Sequence, residues 1–198
     1  MHYFYGMNTP IQTLATFFET EYPLNKHGLE ALFALFESKT VKKGTSLLTV
    51  GKEEQHLRFL YQGQVREYYS TSEKETNINF YTRPQFISDL TSFTLDTPTI
   101  KQQEALSDIQ YLVVGKADFR KLLAKYQCGN SFIELSFQKL LKQKELLEYN
   151  RVTKSPEDLY KELMMYKTHW LETIPQYHIA SYLNITPETL SRIRKRIS

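Results

Sequence analysis

Four polar residues near the end of the chain have the spacing of one helix face: Glu188, Ser191, Arg192 and Lys195. Positions separated by three, four and seven residues lie on the same side of a helix. An Arg side chain can donate two hydrogen bonds to the edge of a guanine, and a Glu carboxylate can accept one from the N4 amino group of cytosine. Exposed on a helix, this set has the chemistry needed to read the major groove of DNA.

The window that contains these residues, 176–195, also supplies the apolar contacts that two crossed helices need. Five aliphatic residues and one small residue fit a helix–turn–helix: Ile179, Ala180, Leu183, Ile185, Leu190 and Ile193. Asn184 falls at the turn, where a left-handed backbone is required and Asn is the best substitute for Gly. Thr186 can then cap the second helix, and Pro187 can take its first position.

The net charge is concentrated at the same end of the chain. The sequence has 25 Lys and Arg against 22 Asp and Glu, and all of the excess of +3 lies in residues 151–198. A basic tail on a neutral body is typical of proteins that bind nucleic acid. The alternative is a terminal three-helix bundle with a charged solvent face, since cations near a helix C-terminus are favourable in any case. The agreement of turn, cap and polar face favours DNA. The residues predicted to contact DNA are Gln176, Tyr177, Thr186, Glu188, Thr189, Ser191, Arg192, Arg194, Lys195 and Arg196.

The elements that position this window change along the chain. Residues 1–40 have helical spacing, with Leu29, Leu32, Phe33 and Phe36 recurring on one side. From Val41 to Val114 the apolar segments are short and are separated by Gly and Pro, which predicts six or more strands in a sandwich, jelly roll or barrel. The helical period then returns, so the fold class is predicted to be α+β.

Two helices are predicted after the strands, over Asp118–Tyr126 and about 131–149. In the longer one, Ile133, Phe137, Leu140 and Leu147 form an apolar stripe that Lys144 interrupts. Such a stripe needs a partner surface, which is either the β domain or a second copy of the same helix. The helix–turn–helix that follows favours the homodimer.

The domain boundary is predicted from a helix start. Ser155 is a suitable N-cap, Pro156 suits the first helical position and Asp158 completes a capping box. The polar segment Arg151–Ser155 is interpreted as a hinge between a sensor domain, 1–150, and a DNA-binding domain, 151–198.

Several classes of protein are excluded or disfavoured. The single cysteine, Cys128, excludes a disulfide framework and an iron–sulfur sensor, and the five histidines form no metal-binding pair. No cofactor, metal or haem site is indicated, and His178 is interpreted as partly exposed or as a phosphate contact. Neither a membrane-spanning run nor a secretory signal is visible, so a cytoplasmic protein is expected.

The segment IASYLNITPETLSRIRKRI, residues 179–197, resembles the cyclic-AMP receptor protein / fumarate–nitrate regulator (Crp/Fnr) superfamily of bacterial transcription factors, and its shorter members common in Bacteroidetes. The Glu-x-x-Ser-Arg motif of the fumarate–nitrate branch corresponds to Glu188, Ser191 and Arg192. Pro187 stands where the cyclic-AMP branch has an Arg. The resemblance implies a β-roll, a long dimerisation helix and a helix–turn–helix without a C-terminal hairpin, acting as a homodimer on a near-palindromic DNA site.

The resemblance also implies an effector pocket in the β-roll. Members that bind cyclic nucleotides carry Gly-Glu-Leu followed by Arg-Ser; here Ser88, Asp89 and Leu90 are followed by Thr99 and Ile100. Because no Arg stands near Thr99 to pair with a cyclic phosphate, the pocket is predicted to be degenerate and to bind cyclic AMP weakly or not at all.

A second function from another class is a small-molecule-binding β-roll, or a jelly-roll enzyme, with structural C-terminal helices. Against an enzyme, no spacing of carboxylates, Ser/His/Asp or metal ligands predicts a catalytic site. The polar residues Arg66, Glu67, Arg83 and Asp89 are scattered and are interpreted as rim and surface charges.

Overall fold

The computed structural model describes residues 9–21, 29–126 and 129–197, with the backbone alone at 29, 126 and 129–133. The helices α1 and α2 are followed by a strand-rich region and then by further helices. In the first part of the chain the elements are α1 Pro10–Glu21, α2 Leu29–Phe33, β1 Glu37–Val41, β2 Ser46–Leu48, β3 His56–Gln62, β4 Val65–Ser70, β5 Glu75–Tyr81, β6 Gln85–Phe86, α3 Leu90–Leu95, β7 Gln102–Ala105 and β8 Ile109–Gly115. The remaining elements are α4 Lys116–Tyr126, α5 Gly129–Thr153, α6 Pro156–Tyr166, α7 Thr168–Thr173, α8 Gln176–Tyr182 and α9 Pro187–Ile197.

The strands form two antiparallel sheets, ordered β1-β8-β3-β6 and β2-β7-β4-β5. This sandwich followed by helices confirms the predicted α+β class and β-roll. Residues 1–8 and 22–28 of the predicted helical region 1–40 lie outside the described residues. The prediction is wrong at its end, because Glu37–Val41 is a strand that pairs with Ile109–Val113 of β8. Most of β1 is exposed, so it lacks the alternating apolar pattern by which a half-buried strand is recognised.

Two apolar cores hold the roll together. Leu14 and Phe18 of α1 pack with Phe59 of β3 and Phe119 of α4 on the outside of one sheet. A second core lies between the sheets and contains Leu60, Val65, Ile87, Ala105 and Ile109. Each fully buried Leu or Phe side chain contributes about 1.5–3 kcal/mol. The two sheets are therefore held as one body that carries the polar groups described below.

The long helix α5 extends further than predicted in both directions, from Gly129 to Thr153. Of the predicted stripe, Phe137, Leu140 and Leu147 are half-buried, while the side chain of Ile133 lies outside the described residues. The hinge predicted at Arg151–Ser155 is also wrong in part, because the helix continues to Thr153. The polar residues of this segment are compatible with the solvated end of α5.

The helix start at Ser155 is confirmed. Its hydroxyl accepts a hydrogen bond from the Asp158 backbone N–H at 3.2 Å and donates to the Asp158 carboxylate at 2.6 Å. Pro156 begins α6. A third apolar core then joins the C-terminal helices to the β-roll, because Phe80 of β5 packs with Trp170 of α7 and Ile179 of α8.

Candidate nucleic-acid interface and effector region

The turn between α8 and α9 has the predicted geometry. Asn184 has a φ of 55°, in the left-handed region, and the Ile185 N–H closes the turn onto the Ala180 carbonyl at 3.0 Å. The Thr186 hydroxyl accepts a hydrogen bond from the Thr189 N–H at 3.2 Å, which caps α9. Local sequence thus fixes the crossing of these two helices.

The apolar residues predicted to meet between the two helices do so. They are buried in the third core together with residues of α6 and α7, and only Ile185 is partly exposed. The buried members are Ile179, Ala180, Leu183, Leu190 and Ile193. Because α9 is anchored along this side, its opposite side is held towards solvent.

That opposite side carries the polar residues singled out by their spacing. Glu188, Ser191, Arg192 and Lys195 are all exposed, whereas Leu190 is only 1% exposed. A hydrogen bond from the backbone N–H of Glu188 itself, with the Thr186 hydroxyl and the nearby Arg192, lowers the pKa of the Glu188 carboxyl. At neutral pH this carboxylate is an acceptor, as contact with a cytosine amino group requires.

The remaining residues predicted to contact DNA fall around this face. Gln176, Tyr177, Thr186 and Arg194 are exposed, and Thr189 is half-buried. Arg196 instead forms an ion pair with Glu157 of α6. Its guanidinium is therefore held beside the C-terminal helices, although its side chain is exposed.

The interpretation of His178 as a partly exposed residue or phosphate contact is wrong. His178 is 7% exposed, and its ring Nδ1 and backbone oxygen each lie 3.2 Å from the Asn77 Nδ2 of β5. Burial lowers its pKa to about 4. The first helix of the pair is thus docked on the β-roll, an arrangement for which the local sequence gave no signal.

Two further contacts extend this docking. The Ser181 hydroxyl accepts from the Asn77 backbone N–H and donates to the Glu75 carbonyl, both at 3.1 Å. Phe80 meets Trp170 edge to face, with ring centroids 5.0 Å apart. Strand β5 therefore sets the position of α8, and through the turn it also sets the position of α9.

A cleft of about 340 Å³ lies between the β4–β5 turn and the helix pair. Lys74 and Thr76 line it on the β-roll side. Tyr177, Asn184 and Thr186 line it on the helix side. The cleft has both polar and apolar lining and opens beside the start of α9.

The effector region contains a buried ion-pair network. Asp89 is 4% exposed, and its carboxylate accepts from the Thr99 hydroxyl at 2.6 Å and from the Lys101 ammonium at 3.2 Å. Burial opposes ionisation of Asp89, but the attraction of Lys101 and the Thr99 hydrogen bond leave its pKa below the ordinary value. The role of Lys101, two residues beyond Thr99, was not predicted, because the corresponding motif of cyclic nucleotide-binding members carries Arg.

A second carboxylate shares the same cation. Glu67 lies 3.6 Å from the Lys101 ammonium and accepts hydrogen bonds from the Tyr81 hydroxyl at 3.0 Å and the Gln103 amide at 2.7 Å. Glu67, Asp89 and Lys101 together carry a formal charge of −1. The only cation bound to Asp89 among the described residues is therefore already shared between two carboxylates.

The interpretation of the β-roll charges as rim and surface residues is wrong for three of the four. Arg66, Glu67 and Asp89 are each 8% exposed or less, and Arg66 is paired with Glu75 at 2.7 Å and with Glu104 at 2.6 Å. Arg83 alone is exposed. Buried charges are paired because an unpaired charge is costly to desolvate.

The other predicted pocket residues are more dispersed. The Ser88 hydroxyl accepts from the Arg58 N–H at 2.7 Å and donates to the His56 carbonyl at 2.8 Å, so its hydrogen bonds go to β3. Leu90 is half-buried at the start of α3, and Ile100 is 69% exposed. Of the five residues, only Asp89 and Thr99 are joined directly by a hydrogen bond.

The described ranges contain no group of three or more His, Cys, Asp and Glu side chains able to hold a metal ion. Within the same ranges, the helices are too short or too polar to cross a membrane.

Residues 38–126 match the family described as cyclic nucleotide-binding domain. The curated protein sequences include no significant match to the chain. Among solved structures, FixK2 from Bradyrhizobium japonicum is similar at a TM-score of 0.68 and 15% identity, over 82% of this chain and 84% of that one.

Two further structures cover most of both chains. The c-di-GMP responsive global regulator CLP of Xanthomonas campestris gives a TM-score of 0.64 at 12% identity, over 87% of this chain and 91% of its own. The catabolite activator protein of Thermus thermophilus gives 0.54 at 14% identity, over 96% and 86%. At these identities the likeness establishes a shared fold.

Proposed function

We propose that this chain, which carries a cyclic nucleotide-binding domain and has the fold of the Crp/Fnr regulators, is a homodimeric, sequence-specific DNA-binding transcription regulator. The observation that carries the proposal is the two-sided helix α9. Leu190 and Ile193 anchor it, while Glu188, Ser191 and Arg192 face solvent. This is the geometry in which a recognition helix enters the major groove with its N-terminal residues on the base edges.

Four exposed residues of α9 have a definite role in this proposal. Arg192 donates to a guanine edge, and the ionised Glu188 accepts from a cytosine amino group. Lys195 and Arg194, with Tyr177 of α8, contact phosphates and fix the register without reading sequence.

The proposed dimer forms along α5. Leu141, Leu146 and Val152 are 58–80% exposed on this helix, beside the half-buried Leu140 and Leu147. Pairing with a second copy of α5 would remove such apolar surface from water. It would also place two α9 helices about 34 Å apart, one helical turn of DNA.

The β-roll is proposed to have a degenerate effector pocket. A cyclic phosphate beside Asp89 would enter a cluster whose formal charge is already −1, with Lys101 shared between Asp89 and Glu67. Lys101 already pairs with two carboxylates, so it is not available to pair with an incoming phosphate. Titration calorimetry should therefore detect no cyclic AMP binding in the micromolar range, and micromolar affinity would refute this part of the proposal.

DNA binding is tested by selecting duplexes from a random pool with the purified protein and no added ligand. Arg192→Ala should lose preference at one base pair, at a cost of about 1–3 kcal/mol. Lys52→Ala, at an exposed lysine between β2 and β3 that is not among the predicted DNA contacts, is the control and should bind as the unaltered protein does. An Arg192→Ala variant with unchanged affinity and base preference would refute the assigned role.

A salt titration separates this function from the alternative of a small-molecule-binding module or enzyme. A specific regulator loses affinity steeply as salt rises, with a slope of about one unit of log K per neutralised phosphate. A flat response would favour the alternative.

A further inference from the structure

The turn that joins β4 to β5 lies against the turn that joins α8 to α9. The Lys74 ammonium donates to the Asn184 side-chain oxygen at 3.2 Å. The Ser181 hydroxyl fixes the same approach through the backbone of Glu75 and Asn77. Lys74 is 110 residues from Asn184 in sequence, yet it lies close to the N-terminal end of the proposed recognition helix α9.

Lys74 shares its cleft with residues of the proposed DNA-binding surface. Tyr177, Thr186 and Pro187 line the same space as Lys74 and Thr76. The two exposed ends of the helix pair, the start of α8 and the start of α9, both face it. A backbone phosphate held by Tyr177 and Thr186 would therefore lie within reach of this lysine.

The charge on Lys74 is available for such a contact. Lys74 is exposed, and within the described residues no carboxylate lies within 4.0 Å of its ammonium. The neighbouring Glu75 carboxylate is bonded to Arg66 at 2.7 Å, a cation that it shares with Glu104, and not to Lys74. An ammonium has three donors, and the hydrogen bond to Asn184 uses one of them.

We propose that Lys74 contacts a phosphate of the DNA backbone beside α9, so that the cyclic nucleotide-binding domain itself forms part of the DNA interface. This inference rests on the proposed function. In this inference the surface that contacts DNA extends from the C-terminal helices onto the β-roll. Phosphate contacts position a protein without reading bases, so Lys74 strengthens binding to every duplex alike.

The experiment compares Lys74→Ala with Lys52→Ala, each as the full chain on the selected duplex and on an unrelated one. Removing one phosphate contact makes the fall of log K with log salt less steep by about one unit. The factor by which affinity drops between about 50 and 200 mM salt is then roughly threefold smaller. Lys74→Ala should show this on both duplexes, and Lys74→Arg should restore the slope. Lys52→Ala should leave it unchanged.

A second variant separates phosphate contact from domain docking. Asn184→Gly keeps the left-handed turn but removes the acceptor of Lys74. If Lys74 contacts phosphate, Asn184→Gly retains the full salt slope; if the lysine only docks the domains, this variant reproduces Lys74→Ala and the inference is refuted. An unchanged slope in Lys74→Ala also refutes it. Failure of the unaltered protein to bind any duplex would instead refute the proposed function, and this inference with it.

Discussion

The side-chain nitrogen of Asn77 lies 3.2 Å from both the ring Nδ1 and the backbone oxygen of His178. One strand residue therefore donates to the ring and to the main chain of the helix that carries the turn. The ring nitrogen can accept only if it is unprotonated, so the docked arrangement requires neutral His178. The C-terminal helices and the β-roll are thus coupled through a titratable group.

This coupling predicts how stability depends on pH. Burial, followed by the positive charge of Arg66, lowers the pKa of His178 from 6.5 to about 4, while Glu104 and Glu75 oppose the shift. Above pH 6.5 the ring is neutral in both folded and unfolded chains. Between 6.5 and about 4 the unfolded chain takes up the proton first, so the free energy of unfolding falls with pH, by at most about 1.4 kcal/mol per unit. Denaturant unfolding from pH 7.5 to 4.5 measures this.

The matched variants for that titration are His178→Gln and His56→Gln. The first removes the buried ring and should flatten the fall in stability below pH 6.5. The second should still show the fall in the free energy of unfolding that His178 causes below pH 6.5, because His56 lies at the start of β3, away from the docked helix. Equal slopes in His178→Gln and the unaltered protein would contradict the assignment.

Replacing Asn77 by Ala should loosen the docked helix. The change leaves the buried His178 Nδ1 without its donor and removes the side-chain donor to the His178 carbonyl, at a cost of about 1–3 kcal/mol. Amide hydrogen exchange should accelerate in α8 before it does in β3. The exposed amide Gln62→Ala is the control and should change neither. Unaltered exchange in α8 would show that Asn77 does not hold the helix.

The parts of the site that could be predicted from sequence depend on near neighbours. Asn184, Thr186 and Ser155 act on backbone groups within a few residues of themselves, so their side-chain chemistry determines turn and caps directly. The exposed face of α9 follows from the helical period in the same way.

The parts that could not be predicted join distant segments. Asn77 and His178 are 101 residues apart, and Glu67 of β4 contacts Lys101, which directly precedes the neighbouring strand β7. Each of these residues is polar, which in a single sequence indicates the surface. Only the fold shows that their partners bury them, since burial of a charge depends on a long-range contact.

The left-handed turn predicts that two substitutions of Asn184 change the stability of the protein differently. Asn184 has a φ of 55°. Asn184→Ala places a Cβ in a region that costs about 1–2 kcal/mol, whereas Asn184→Gly removes that strain. Thermal unfolding should show a lower melting temperature for the Ala variant than for the Gly variant. Both variants lack the Asn184 side chain, so the reverse order would mean that the left-handed backbone does not limit the stability of this turn.

Lys101→Met should destabilise the β-roll strongly at neutral pH. The Glu67 and Asp89 side chains are 7% and 4% exposed, and the variant leaves both carboxylates buried without their shared cation. Breaking a buried ion pair from one side costs about 3–5 kcal/mol. Denaturant unfolding measures the loss, with Lys52→Met as an exposed control that should unfold like the unaltered protein.

The loss in Lys101→Met should also shrink on acidification. In the unaltered protein the pKa of Asp89 is lowered, so its stabilising contribution is present above its ordinary pKa and is lost as pH falls through the folded value. In the variant Asp89 loses the cation that lowers its pKa and still lies near the Glu67 carboxylate, so the pKa of Asp89 rises and its protonation on acidification relieves the repulsion. Lys101→Met/Asp89→Asn should recover part of the stability at pH 7 for the same reason. A loss that is constant between pH 7.5 and 4.5 would mean that Lys101 acts through packing of its stem and not through its charge.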